Sequence, residues 1–269
     1  MEKEMEKIIV VHGVTKKFGD FVVVDDISFD VKKGEIFAFL GPNGAGKTTT
    51  IKMLTTLLVP TSGEIMLNGK NVASEKNEAR KAFGIVFQDP SLDDELTAIE
   101  NLHFHAVLYR VPKKTRDSRI EQLLKLVELW DRKDSLVKEF SGGMKRSLEI
   151  ARGLIHHPKI LFLDEPTIGL DPQTRNYLWK YVQELNEKEG ITVFLTTHYM
   201  EEAEKVAQRI AIIDHGKIIT MGTSEELKKQ TGTDSLEEAF LKLTGKQIRE
   251  QEVTARDSMR THHQMWRRR

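Results

Sequence analysis

The sequence predicts an α/β fold: a central, mostly parallel sheet, an N-terminal antiparallel β layer ahead of it, and an inserted helical subdomain. Three observations carry this expectation. Four continuous apolar runs, EIFAFL (35–40), GIVF (84–87), ILFL (160–163) and TVFL (192–195), read as strands buried on both faces of a parallel sheet. Helical periodicity separates the runs, the pattern of α/β proteins. The residues before the first run alternate apolar and polar, whereas the roughly 70 residues between Phe87 and Ile160 carry helical periodicity alone.

In chain order, IIVV (8–11) and FVVVDDISFDV (21–31) supply the first strands of the antiparallel layer. Asn68-Gly69 after EIML is a hairpin signal, because both residues tolerate positive φ. EIFAFL ends at Gly41, and TTTIKMLTTLL (48–58) then reads as a helix. Within the insertion, LTAIENLHFHAVLYRV is followed by Ile120, Leu123, Leu124 and Val127, then by Met144, Leu148, Ala151 and Ile155, all at helical spacing. Pro158 marks its end. Beyond Leu195 come a helix, the strand IAII (210–213), a second strand over 217–221 and two short helical patterns ending near Lys246. The chain therefore divides into one domain over 1–245, with its helical subdomain at about 89–157, and a polar, aperiodic tail over 246–269 that ends on three arginines and reads as disordered.

Composition narrows the partners. The 41 basic residues balance the 41 acidic ones, so no whole-chain field points to nucleic acid. Cysteine is absent, which excludes disulfides and thiolate metal sites. MEKEMEK at the N-terminus is charged, with no signal-peptide core behind it, and no apolar run approaches the roughly 18 to 20 residues that cross a bilayer. Any membrane role is expected to come through a partner.

GPNGAGKTT, comprising Gly41, Pro42, Asn43, Gly44, Ala45, Gly46, Lys47, Thr48 and Thr49, matches the phosphate-binding pattern G-x-x-x-x-G-K-[ST]. It sits after a buried strand and before a helix, the context this chemistry needs and the mark of a P-loop NTPase core. Its glycines let successive N–H groups point at phosphate, and the helix N-terminus adds partial positive charge. Lys47 would bridge the β- and γ-phosphates, and Thr48 would place its hydroxyl on Mg²⁺.

ILFLDEPT delivers Asp164 and Glu165 to the carboxyl end of a buried strand, where ligands sit in open α/β sheets. Asp164 would hold Mg²⁺ through water and Glu165 would orient the attacking water; taken alone, the same acids could merely cap the next helix. Gln88 ends a third strand and could touch metal or attacking water, or stand as an ordinary strand-end residue. His198 ends a fourth and could hydrogen-bond the γ-phosphate; a lone histidine is otherwise more often a cap or a satisfied core residue, and its place at a strand end favours the phosphate.

EFSGGMKRSLEIA (139–151) poses a different question. Ser141 is a natural N-cap, and Gly142 and Gly143 permit close backbone approach at a helix N-terminus. With no lysine loop or metal carboxylate of its own, this is either half of a phosphate site that another molecule completes or a common turn and cap.

The ordered set Phe18, GPNGAGKTT, Gln88, SGG, LFLDEP, Asp171 and His198 closely resembles the ATP-binding subunit of ABC transporters across about residues 7 to 245. The resemblance implies that two such subunits pack head to tail with ATP and Mg²⁺ between them. It implies that Ser141 to Gly143 hold the partner's γ-phosphate, that Phe18 stacks on adenine, and that Asp171 communicates across the dimer. It also implies that the helical insertion meets a separate polytopic permease at the inner face of the membrane. An ordinary core aromatic is the competing reading of Phe18. Phe140 and Met144 flank SGG where leucine and glutamine are usual, Phe18 stands where tyrosine is frequent, and IGLD replaces SALD; none removes a phosphate-contacting group, so an active ATPase is expected. These variants, with QDPSLDDELTAIENL and SLEEAFLKLTG, look most like the daunorubicin-resistance type of ABC-2 exporter subunit. A nucleotide kinase or GTPase shares only the P-loop. A soluble ABC ATPase of translation or DNA repair is the stronger alternative, although many of those carry two ATP-binding halves or long insertions that this sequence lacks.

Overall fold

The structure, a computed structural model, describes residues 6–89 and 91–245. The tail expected over 246–269 lies outside the described residues.

Two sheets form the core. The first is antiparallel, in the order β2 (Phe21–Lys32), β1 (Lys7–Phe18), β4 (Ser62–Leu67), β5 (Lys70–Asn71). Between β4 and β5 the chain reverses through Asn68 and Gly69, at φ 47° and 73°, the positive-φ pair that the hairpin signal requires. The second sheet holds the apolar runs: β3 (Ile36–Leu40), β6 (Phe83–Val86), β7 (Ile160–Asp164), β8 (Thr192–Thr197) and β9 (Arg209–Asp214) are parallel in the order β9-β3-β8-β7-β6. β10 (Lys217–Gly222) pairs antiparallel on the outer edge of β9.

Period-2 alternation decides which side chain goes to which layer. Ile36, Ala38 and Leu40 of β3 face a helical layer with Leu161, Leu163, Val193 and Leu195. Phe37 and Phe39 face the antiparallel sheet with Phe162, Phe194 and Phe29. Phe29, Phe37 and Phe194 stack within 5.6 to 5.9 Å of one another, so aromatic area fills the space between the sheets. A strand buried on both sides cannot alternate polarity, which is why these runs are uniformly apolar.

Helix α1 (Lys47–Leu54) is shorter than the expected 48–58. Thr55 folds its hydroxyl onto Ile51 O, Thr56 adopts φ 63°, and the N–H groups of Leu57 and Leu58 both return to Lys52 O, closing the helix. Helix α2 (Lys76–Lys81) precedes β6. The insertion folds as α3 (Ala98–Leu108), α4 (Lys113–Leu126), two single 3-10 turns and α5 (Gly142–Gly153). Thr97 and Glu100 form a reciprocal capping box that starts α3. The apolar faces of these helices merge with the helical layer of the sheet, so subdomain and sheet share one core. α6 (Pro172–Glu189), α7 (Met200–Val206), α8 (Ser224–Thr231) and α9 (Leu236–Thr244) complete the chain as described.

Candidate active site

Parallel register brings the carboxyl ends of β3, β6, β7 and β8 to one edge of the sheet, and each end releases one predicted site segment. After Leu40 the loop over 41–46 turns through Gly44 and Gly46, at φ 82° and 106°, into the N-terminus of α1. The backbone behind the start of the loop leaves no room for a side chain: a Cβ on Gly41 would lie 2.4 Å from Ile213 O. Gly216, in the turn after β9, donates its N–H to Ala45 O at 3.0 Å and props the loop from below.

Lys47 is buried, with Nζ 2.7 Å from Gly41 O, 3.2 Å from Pro42 O and 3.0 Å from Oε1 of Glu165. Glu165 adopts φ 48°, the left-handed region that an L-residue occupies only when its surroundings hold it there. Its N–H is held by Thr196, at 3.2 Å from the carbonyl and 3.0 Å from Oγ1. On the other side its Oε2 lies 2.7 Å from Nδ1 of His198. Burial pushes this carboxyl up, but the His198 hydrogen bond and the Lys47 charge outweigh it and hold Glu165 below its ordinary value. Asp164 goes the other way: burial raises it, against hydrogen bonds from Thr196 at 2.7 Å and Thr48 at 3.4 Å. Two adjacent carboxyls are thus driven apart in acidity by different partners.

Lys47, Thr48, Glu165 and His198 line one cleft of about 490 Å³, together with Asn43, Gly44, Gly46, Thr49 and Gln88, while Asp164 and Thr196 are buried behind its wall. The Thr48 hydroxyl beside the Asp164 carboxylate is a hard-oxygen pair that suits Mg²⁺, which takes few protein ligands. Among the described residues no cluster of three or more His, Cys, Asp or Glu could hold a metal by itself. Buried Lys47, a glycine loop and a helix N-terminus fit a polyphosphate.

Other predicted residues stand apart from the cleft wall. Phe18, at the end of β1, is 50% exposed with Lys16 Nζ 5.0 Å over its ring, so the reading as an ordinary core aromatic does not hold. Ser141 and Gly142 are exposed at the start of α5, where Ser141 Oγ accepts from Met144 N at 3.3 Å. Asp171 caps α6, accepting from the N–H groups of Gln173 and Thr174, and from the Thr174 hydroxyl at 2.6 Å. That hydroxyl holds the Asp171 carboxyl below its usual range. Gly143 and Asp171 form a second constellation through Thr174, whose methyl would lie 2.4 Å from a Cβ on Gly143.

Sequence reasoning missed Thr196, which bonds both Asp164 and the Glu165 backbone, and Arg146, whose guanidinium reaches Glu165 O. A signal for the first existed: two threonines interrupt an otherwise apolar strand just ahead of His198. Val23, Ile168 and Tyr199, which also line the cleft, carry no sequence signal.

The sequence profile of the ABC transporter family matches residues 24–168, just over half of the chain. The linearmycin resistance ATP-binding protein LnrL of Bacillus subtilis is 43% identical over 224 residues, covering 83% of this chain and 72% of that protein. The daunorubicin resistance ATP-binding protein DrrA3 of Streptomyces coeruleorubidus is 41% identical over 229 residues, covering 85% and 72% respectively. A solved dimeric ATP-binding cassette in a post-hydrolysis state, bound to ADP and Pi, superposes with a TM-score of 0.71 at 29% identity, covering 80% of this chain and 98% of that one. With the P-loop, paired carboxyls and histidine at one sheet edge, these likenesses establish that the chain belongs to the ABC transporter family, as an ATP-binding and ATP-hydrolysing subunit.

Proposed function

We propose that this subunit powers a separate membrane permease that exports a drug-like compound, with lipid or polysaccharide cargo as the further possibilities of the same exporter class. The observation that carries the hydrolytic role is the placement of Glu165 between Lys47 and His198, at 3.0 and 2.7 Å. A polyphosphate seated in the loop competes with Glu165 for Lys47, freeing the carboxylate to accept a hydrogen bond from the attacking water. Lys47 and the N–H groups of the loop meet the charge of the β- and γ-phosphates. His198 orients Glu165 and then reaches the γ-phosphate. Thr48 directly, Asp164 through water and Gln88 at the cleft wall are the residues that would hold Mg²⁺, which when bound neutralises charge on the transferring phosphoryl group. Phe18 offers its exposed ring to adenine.

Ser141 and Gly142 are exposed, Gly143 is half-buried against Thr174, and all three lie off the chain's own cleft wall, which supports their use on the γ-phosphate of a second copy. Asp171, tied to Gly143 through Thr174, is placed to sense that contact. A homodimer with two shared sites follows.

An apolar groove of about 410 Å³ between α3 and the β6 edge, lined by Leu57, Phe83, Ile85, Phe87, Leu108 and Tyr109, supports permease docking on the helical subdomain. Phe104 and Val107 extend that apolar surface and are more than half exposed. Among the described residues no helix is long and apolar enough to cross a membrane. We place the subunit on the cytoplasmic face, held there by the permease. The resistance functions named for LnrL and DrrA3 favour drug efflux over a soluble role in translation or DNA repair.

The test is to tag Glu165→Gln, purify it from its native host in mild detergent with Mg-ATP, and identify the accompanying proteins by mass spectrometry. A stoichiometric polytopic membrane protein is expected. Ribosomal or DNA-repair partners instead would move the chain to the soluble class.

A further inference from the structure

We infer that Arg146 is a positioning residue for hydrolysis, holding the backbones of Gln88 and Glu165 in place from within the helix that begins at Ser141. The inference rests on the ATPase reading above. Arg146 lies one turn into α5 and is 6% exposed. Its Nε donates to Pro166 O at 2.7 Å and its Nη2 to Glu165 O at 3.3 Å. Nη1 donates to Phe87 O, and Nη2 stands 3.5 Å from Gln88 O. One planar fork therefore spans two loops, the one that follows β6 and carries Gln88, and the one that follows β7 and carries Glu165. A lysine cannot reproduce this, since its donors radiate from a single atom.

The charge on Arg146 is met by Glu149, 1% exposed, whose Oε2 accepts from Nη1 at 2.9 Å. Oε1 of Glu149 accepts from Ser91 N at 2.8 Å and lies 3.3 Å from Ser91 Oγ, while Arg152 donates to Ser91 O and Oγ at 2.6 Å each. The three charged members, Arg146, Glu149 and Arg152, are buried and each has partners, the condition under which such a network rigidifies rather than destabilises. The strained φ of Glu165 gives the arrangement its purpose. A left-handed residue holds its place only if both flanking peptides are fixed: Thr196 fixes its N–H, and Arg146 fixes its carbonyl together with the N–H of Ile168, each at 3.3 Å. A shift of α5 that follows engagement of its N-terminus by a second subunit must therefore move the backbones of Gln88 and Glu165 in the same chain.

Two variants of the full chain test this, after wild-type turnover has been measured. Absence of wild-type turnover overturns the ATPase reading, and the proposal with it. Arg146→Lys keeps a cation beside Glu149 but loses the fork. Arg146→Met with Glu149→Met removes both charges and leaves no lone buried carboxylate. In both, kcat is expected to fall at least about tenfold, as small misplacements of reacting groups do, with KM for ATP within about twofold. Amide hydrogen exchange over 86–91 and 165–168, measured without nucleotide, is expected to rise at least about tenfold, with the melting temperature of Arg146→Lys near wild type. Wild-type kcat and exchange in Arg146→Lys would overturn the proposal. So would a loss confined to KM, or wild-type kcat in the double variant, which would make Arg146 no more than the neutraliser of Glu149.

Discussion

Oε2 of Glu165 lies 2.7 Å from Nδ1 of His198, across the loops that leave two adjacent parallel strands. Its other oxygen faces Lys47, so the carboxylate is fixed between two donors inside a buried edge of the sheet. Such an arrangement favours the ionised form of Glu165 and fixes its direction, which suits the water-polarising role proposed for it.

Replacing Glu165 with Gln preserves shape and removes the charge. Phosphate release at saturating ATP is expected to fall by about 10² to 10⁴, the range of general acid–base contributions. Binding of a fluorescent ATP analogue should be retained, because the loop and Lys47 are untouched. His198→Ala, which removes the orienting partner and the proposed γ-phosphate contact but leaves the carboxylate in place, should lower kcat by less than Glu165→Gln does. Normal turnover in Glu165→Gln would end the proposed role.

Much of this site is legible in the sequence because each segment follows its own buried strand. GPNGAGKTT, Asp164 with Glu165, Gln88 and His198 all sit one step beyond an apolar run, and parallel strands deliver such ends to one edge. What the sequence does not disclose depends on contacts between distant positions. Arg146 meets Phe87 O 59 residues away, and nothing in KRSLEIA predicts that reach. The early end of α1 was hidden for a similar reason: TTTIKMLTTLL keeps its apolar period, but Thr56 breaks the backbone after one turn fewer than that period suggests. Phe18 was ambiguous because an aromatic in a strand serves core and surface equally, and only its position at the open end of β1 decides for exposure.

Gly84 fastens the helical subdomain to the sheet. A Cβ there would fall 2.0 Å from Gly153 O, a backbone atom that cannot rotate away, whereas a Cβ on Gly153 would make ordinary contacts from 3.5 Å outward. Gly84→Ala is expected to destabilise the protein by about 1 to 3 kcal/mol, the scale of overpacking, while Gly153→Ala stays close to wild type. Denaturant melts of both variants check the asymmetry; equal effects would contradict it.

Two histidines make stability depend on acidity. His156 stacks on Tyr109 at 3.9 Å and donates from Nε2 to Phe83 O at 2.9 Å. Burial pushes it down to about 4 despite that carbonyl, and His157 and Arg119 add to the effect. Burial, with the charges of Arg152 and His156, likewise pushes His105 down to about 4. Both folded values lie below the ordinary 6.5, so between pH 6.5 and 4 the unfolded chain takes up protons that the folded chain refuses. Stability is therefore full above pH 6.5 and is lost as pH falls, by at most about 1.4 kcal/mol per pH unit for each histidine. His156→Phe, which keeps the ring stack, should flatten part of this slope in thermal melts across the same window.

The shared-site arrangement is tested most directly by sedimentation of Glu165→Gln with and without Mg-ATP, alongside the same protein carrying Ser141→Arg. Glu165→Gln should pass from monomer to dimer when ATP is added. Ser141→Arg should bind ATP and remain monomeric, because its arginine stands where the partner's γ-phosphate must sit. If Ser141→Arg dimerises as readily as its parent, the start of α5 is not part of the partner's nucleotide site and the two-subunit mechanism is wrong.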